Sequence, residues 1–162
     1  MYKIKLSILL LISLFIFSCT NKQIDTPNTK YSLASIGGEF NGLLLKNYLM
    51  ASLKNLDIYD PNSNYEIKAS ISHDSNLFIT NIDNTSDREK ISTNLSIQIN
   101  NTFSKCRIMI DEFNVSQFFI YAPSNKFLSN ETALREIKKN NTETTVKKFI
   151  HKLRNISNEC DD

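Results

Sequence analysis

The stretch that decides the fold is Ile-Ser-Thr-Asn-Leu-Ser-Ile-Gln-Ile-Asn at residues 91–100. Ile91, Thr93, Leu95, Ile97 and Ile99 alternate with Ser92, Asn94, Ser96, Gln98 and Asn100. Successive side chains of a strand point to opposite faces, so this alternation predicts a strand with one buried face and one polar face. The same pattern occurs upstream, where Tyr65, Ile67, Ala69 and Ile71 alternate with Glu66, Lys68, Ser70 and Ser72. The segment Leu77 to Ile82 either extends that strand or pairs beside it, and Asp83 to Asp87 carries turn chemistry. Downstream, residues 101–105 can turn the chain into a third long strand, Cys106 to Tyr121. There Ile108 and Ile110 share one parity and Phe113 and Val115 the other, which predicts a bulge near Asp111-Glu112. Short turns between successive strands predict an antiparallel meander.

Helical patterns flank these strands. A short strand, Tyr31 to Ile36, is closed by Gly37-Gly38. An apolar run at helical spacing follows, with Asn41 as its N-cap. Phe40, Leu44, Tyr48 and Ala51 form one stripe of this helix, and Leu45, Leu49, Leu53 and Leu56 lie beside it. Pro61, within a polar loop, marks the stop. After Pro123 a second, longer helix is predicted, with Glu131 early in it where a negative charge suits the helix dipole. Leu134, Ile137, Asn141, Thr145 and Phe149, with Val146, Ile150 and Leu153 beside them, trace its buried stripe. The expected fold is α+β: an antiparallel β-sheet of about four strands with two helices packed on one face, formed as one domain by residues 31–162.

Residues 1–19 read MYKIKLSILLLISLFIFSC. Lys3 and Lys5 precede an apolar stretch, Leu6 to Phe17, broken only by Ser7 and Ser13. A bilayer span needs about 20 apolar residues, so this run suits the core of an export signal better than an anchor. Ile16-Phe17-Ser18-Cys19 resembles a lipobox. A small residue lets the signal peptidase reach the bond, and the Cys thiol takes a diacylglycerol as a thioether. We therefore expect residues 1–18 to be a lipoprotein signal peptide. Cys19 would carry the diacylglycerol and an N-acyl chain, and residues 19–30, polar with Pro27, would form a tether. Thr20, rather than Asp, follows the Cys, which favours the outer membrane, facing the periplasm.

The 162 residues carry 19 Lys+Arg against 17 Asp+Glu, a formal charge of +2. Removing Lys3 and Lys5 with the signal leaves 17 of each, so the small basic excess belongs to export and argues against nucleic-acid binding. His73 and His151 are the two histidines, and neither has a metal-ligand companion at diagnostic spacing. No phosphate-binding glycine loop or nucleophile elbow occurs, and His73-Asp74 reads as a solvated pair rather than half of a catalytic dyad. The expectation is a protein that is not an enzyme and has no metal or cofactor. With Cys19 lipidated, Cys106 and Cys160 remain, either bridged in an oxidising compartment or as two free thiols.

The layout from lipobox to terminal helix resembles the LPS-assembly lipoprotein family (LptE, or rare lipoprotein B). Phe40-Asn41-Gly42-Leu43-Leu44 is similar to that family's helix start, and Ile71-Ser72-His73-Asp74 to its Ile-Ser-Lys-Asp segment. Phe113-Asn114-Val115-Ser116-Gln117-Phe118-Phe119 resembles its last strand, which ends in paired aromatics, and Ile150-His151-Lys152-Leu153 resembles the close of its terminal helix. The match departs at His73, where the family has Lys, and in a longer turn after Ile79. The resemblance implies an outer-membrane lipoprotein that plugs the LPS-transport barrel LptD, assists its assembly and binds lipopolysaccharide. It also implies basic LPS contacts near the central turn and before the last helix, which fall on Arg88, Lys90 and Lys126. The alternative is a periplasm-facing adaptor lipoprotein of another envelope machine, such as a lipid-transport auxiliary subunit or a peptidoglycan-synthase activator.

Overall fold

The computed structural model describes residues 29–79, 87–120, 127–156 and 160. The export signal, Cys19, the tether up to Asn28, the turn residues Asp83 to Ser86, and Lys126 lie outside the described residues. The order is β1 (Ser32–Gly37), α1 (Glu39–Asn55), β2 (Tyr65–Ile79), β3 (Asp87–Asn101), β4 (Cys106–Ile120) and α2 (Phe127–Leu153). The strands form one sheet in the order β1-β2-β3-β4. Leu77 lies within β2, so the segment after Asn76 extends that strand rather than pairing beside it.

The sheet is mixed, not wholly antiparallel. β2, β3 and β4 pair antiparallel through long continuous ladders, but β1 pairs parallel to β2. The helix between β1 and β2 returns the chain to the end where β1 began, so the next strand must run the same way. β1 is also tied at its base. Tyr31 N–H donates to Ile58 O at 2.8 Å, and Asp60 N–H to Tyr31 O at 3.0 Å. Tyr31 is buried with its ring edge-on to Tyr65, 6.1 Å between centroids. Burial first, and Tyr65 second, push the Tyr31 hydroxyl up to about 12.

Both helices cover one face of the sheet. Ile67, Ala69 and Ile71 of β2, Leu95, Ile97 and Ile99 of β3, and Met109 of β4 point toward them. α1 contributes Leu45, Leu49 and Leu53, each fully buried, whereas Ala51 of the other expected stripe is exposed. α2 contributes Val146, Phe149, Ile150 and Leu153, and the Phe149 ring meets Phe113 edge-on at 6.1 Å. Burying a Leu or Phe side chain stabilises the fold by roughly 1.5–3 kcal/mol.

Three local expectations change. α1 starts at Glu39 and its N-cap is Gly38, so Asn41 sits inside the first turn. α2 starts at Phe127, which places Glu131 in the second turn; no acidic residue occupies the first. The bulge lies at Ile108, not at Asp111-Glu112: Ile99 pairs with Met109 and Asn100 with Arg107, while Ile97 and Ser96 pair with Asp111 and Glu112 without interruption. The extra residue lets Ile108 and Met109 both be buried. Asp111 then occupies an inward position, where Lys152 of α2 meets it at 2.5 Å. Lys152, by hydrogen bonding, holds the Asp111 carboxyl below its ordinary range.

Candidate ligand and partner surfaces

Above the apolar core, the space between sheet and α2 is polar. Thr93, Asn141, Thr142 and Thr145 are all buried. Asn141 Nδ2 donates to Ile91 O at 3.3 Å, and Thr142 and Thr145 hydroxyls donate back to helix carbonyls at 2.8 Å. His73 Nδ1 lies 2.7 Å from Thr93 Oγ1. His73 Nε2 and Asn141 Oδ1 are enclosed without a hydrogen-bond partner among the described residues. Desolvation first, then Lys138, lower the His73 pKa, against a smaller opposing pull from Asp74. His73 faces the helices, and strand alternation puts Asp74 on the opposite face, so the two do not form a dyad. Among the described residues no group of three or more His, Cys, Asp or Glu side chains is placed to hold a metal.

The opposite face of the sheet is covered by neither helix. It presents Ser70 and Ser72 of β2, Ser92, Asn94 and Ser96 of β3, and Asn114 and Ser116 of β4 as cross-strand rows. These are the polar positions of the alternating pattern. Lys68, Asp74 and Glu112 share the face; its small neutral groups carry little desolvation cost against another polar surface, because each can exchange water for a partner.

Arg88 and Lys90 lie on this face, at its far end. Strand pairing puts Arg88 between Phe78 and Ile120, and Lys90 between Asn76 and Phe118. Phe78, Phe118 and Ile120 are all substantially exposed, and the two Phe rings are 6.0 Å apart. The result is a compact patch that offers cations and apolar surface together. Neither cation makes a salt bridge among the described residues. Phe118 belongs to the paired aromatics that resemble the family's last strand, whereas Phe78 and Ile120 join the patch only through strand register.

Cys106, at the start of β4, and Cys160, beyond α2, form a disulfide with Cα atoms 5.8 Å apart. The bridge ties the segment after α2 to the turn between β3 and β4. At β4's outer edge, Lys148 Nζ donates to Asn114 O at 2.9 Å, so the lysines off the buried stripe cover part of the free strand edge. No helix among the described residues is long and apolar enough to cross a membrane.

No family model matches the chain, and no curated protein matches it in sequence. Solved structures do. The chain is similar to rare lipoprotein B from Shewanella oneidensis, with a TM-score of 0.64 at 7% identity, over 78% of this chain and 95% of that one. It is similar to a minor lipoprotein from Acinetobacter baumannii, with a TM-score of 0.58 at 11% identity, over 78% and 91%. At these identities the likeness is one of fold, and both of these structural neighbours are lipoproteins.

Proposed function

We propose that this chain is an outer-membrane lipoprotein, anchored through acylated Cys19 and facing the periplasm. In this reading it plugs the LPS-transport barrel LptD, assists its assembly and binds lipopolysaccharide on its way to the outer leaflet. The observation that carries the reading is the uncovered polar sheet face on a fold shared with rare lipoprotein B. A barrel lumen is polar, since its strands alternate apolar outward and polar inward. Rows of Ser and Asn suit such a wall. The patch of Arg88, Lys90, Phe78 and Phe118 suits a ligand with both phosphate and acyl groups, because cations pair with phosphate oxygens and rings shield chains from water. No step of chemistry is required of the chain; its work is occupancy, positioning and binding.

The test is affinity purification of the tagged, full-length protein from detergent-solubilised envelopes. The expected result is recovery of a large outer-membrane β-barrel in near-equal amount. Recovery of a transport complex of another kind, or of no barrel, would replace the plug reading.

A further inference from the structure

The two helices do not pack along their whole length. α2 has 27 residues and α1 has 17, so at 1.5 Å per residue α2 runs on about 15 Å further. Near the start of α1 the helices part around a cleft of about 520 Å³. Leu43 and Leu44 of α1 and Leu134 of α2 give it an apolar lining, and Leu43 remains 61% exposed. Ligand sites commonly have volumes of roughly 300–1,000 Å³, with apolar walls and a few placed polar groups. The rim here is charged, with Arg135, Lys138 and Lys139 set against Glu131 and Glu136, a surplus of one positive charge. Lys139 is engaged by Glu136 at 3.6 Å, while Arg135 and Lys138 make no salt bridge among the described residues.

We infer that this cleft binds the acyl chain of an anionic lipid, with the chain on the three leucines and the acidic head at Arg135 and Lys138. Charge complementarity selects the occupant. The uncharged diacylglycerol expected on Cys19 would fill the apolar part but leave the rim's surplus positive charge unmatched, since Glu131 can offset only one of Arg135 and Lys138. A lipid with an acidic head satisfies both parts at once. The cleft lies on the helix side of the sheet, opposite Arg88 and Lys90, so the inference stands apart from the LPS reading of that patch.

The sequence contains no Trp, so Leu43→Trp supplies a single fluorescent reporter at the cleft. The probe is lysophosphatidylglycerol brominated on its acyl chain, used below its micellar concentration. Expected is saturable quenching at Leu43→Trp and no saturable quenching at Phe103→Trp, an exposed site in the turn between β3 and β4. Adding Arg135→Glu and Lys138→Glu should weaken the quenching affinity at least tenfold, and Arg135→Gln with Lys138→Gln should give an intermediate loss. Adding Arg88→Glu should leave it unchanged, which separates failure here from failure of the LPS reading. Equal quenching at both Trp sites, no saturation at Leu43→Trp, or affinity indifferent to Arg135 and Lys138 would overturn the inference.

Discussion

Gly38 joins β1 to α1 with a φ of 116°, a conformation that L side chains rarely adopt. A Cβ there would fall 2.6 Å from Ile71 O and 2.8 Å from Ile71 Cγ2. Gly38→Ala should therefore destabilise the protein by about 2 kcal/mol or more, combining backbone strain with a clash against β2. Asn, often tolerated at positive φ, should not rescue it, because the clash involves Cβ. Urea denaturation of the two variants checks both points. His73 carries a second residue-scale prediction. Its pKa is lowered from 6.5 in the folded state, chiefly by desolvation. The unfolded chain therefore binds the proton more readily, and stability should fall as pH drops from 6.5 toward the folded-state value. His73→Gln should flatten that part of the profile; an unchanged acid slope would mean that His73 does not set it.

Among the elements, β2 and β3 were the most legible in sequence. Their alternation matched burial almost residue for residue, because one face packs on the helices and the other is covered by neither. Direction was less legible: alternation assigns faces but says nothing of which way a partner runs, so the parallel pairing of β1 emerged only with the helix crossover. In β4, Ile110 misled the parity reading, since it is an exposed apolar residue on the polar face, 57% accessible. Asp111, polar yet inward, completed the misreading, and its partner Lys152 lies 41 residues away. On α1 two adjacent columns were legible, and packing selects Leu45, Leu49 and Leu53 over the column that ends at Ala51. Of the candidate surface, Arg88, Lys90 and Phe118 came from family resemblance, and their neighbours Phe78 and Ile120 only from strand register. The Cys106–Cys160 bridge spans 54 residues, including β4 and the whole of α2. Replacing both cysteines by Ser should cost roughly 2–4 kcal/mol of stability through the freed unfolded chain. Denaturation under non-reducing conditions measures this, and equal midpoints for both proteins would show that the bridge adds nothing.

At the scale of the molecule, one face of the sheet is buried under two helices and the other is left polar, with a cationic and aromatic patch at its end. In the proposed reading, that polar face is the surface that meets the barrel's polar wall. Charge reversal at Arg88 together with Lys126 should weaken lipopolysaccharide binding at least tenfold without changing the denaturation midpoint, since Arg88 is exposed. Binding of immobilised lipopolysaccharide by purified variants is the readout, and unaltered binding would remove these residues from the site. The central claim, that the polar face lies against the inside of a barrel, is tested most directly by a photo-crosslinking residue placed at Asn94 in living cells. The account predicts a covalent adduct with a large outer-membrane β-barrel protein. Well-expressed protein whose Asn94 position yields no barrel adduct would contradict it.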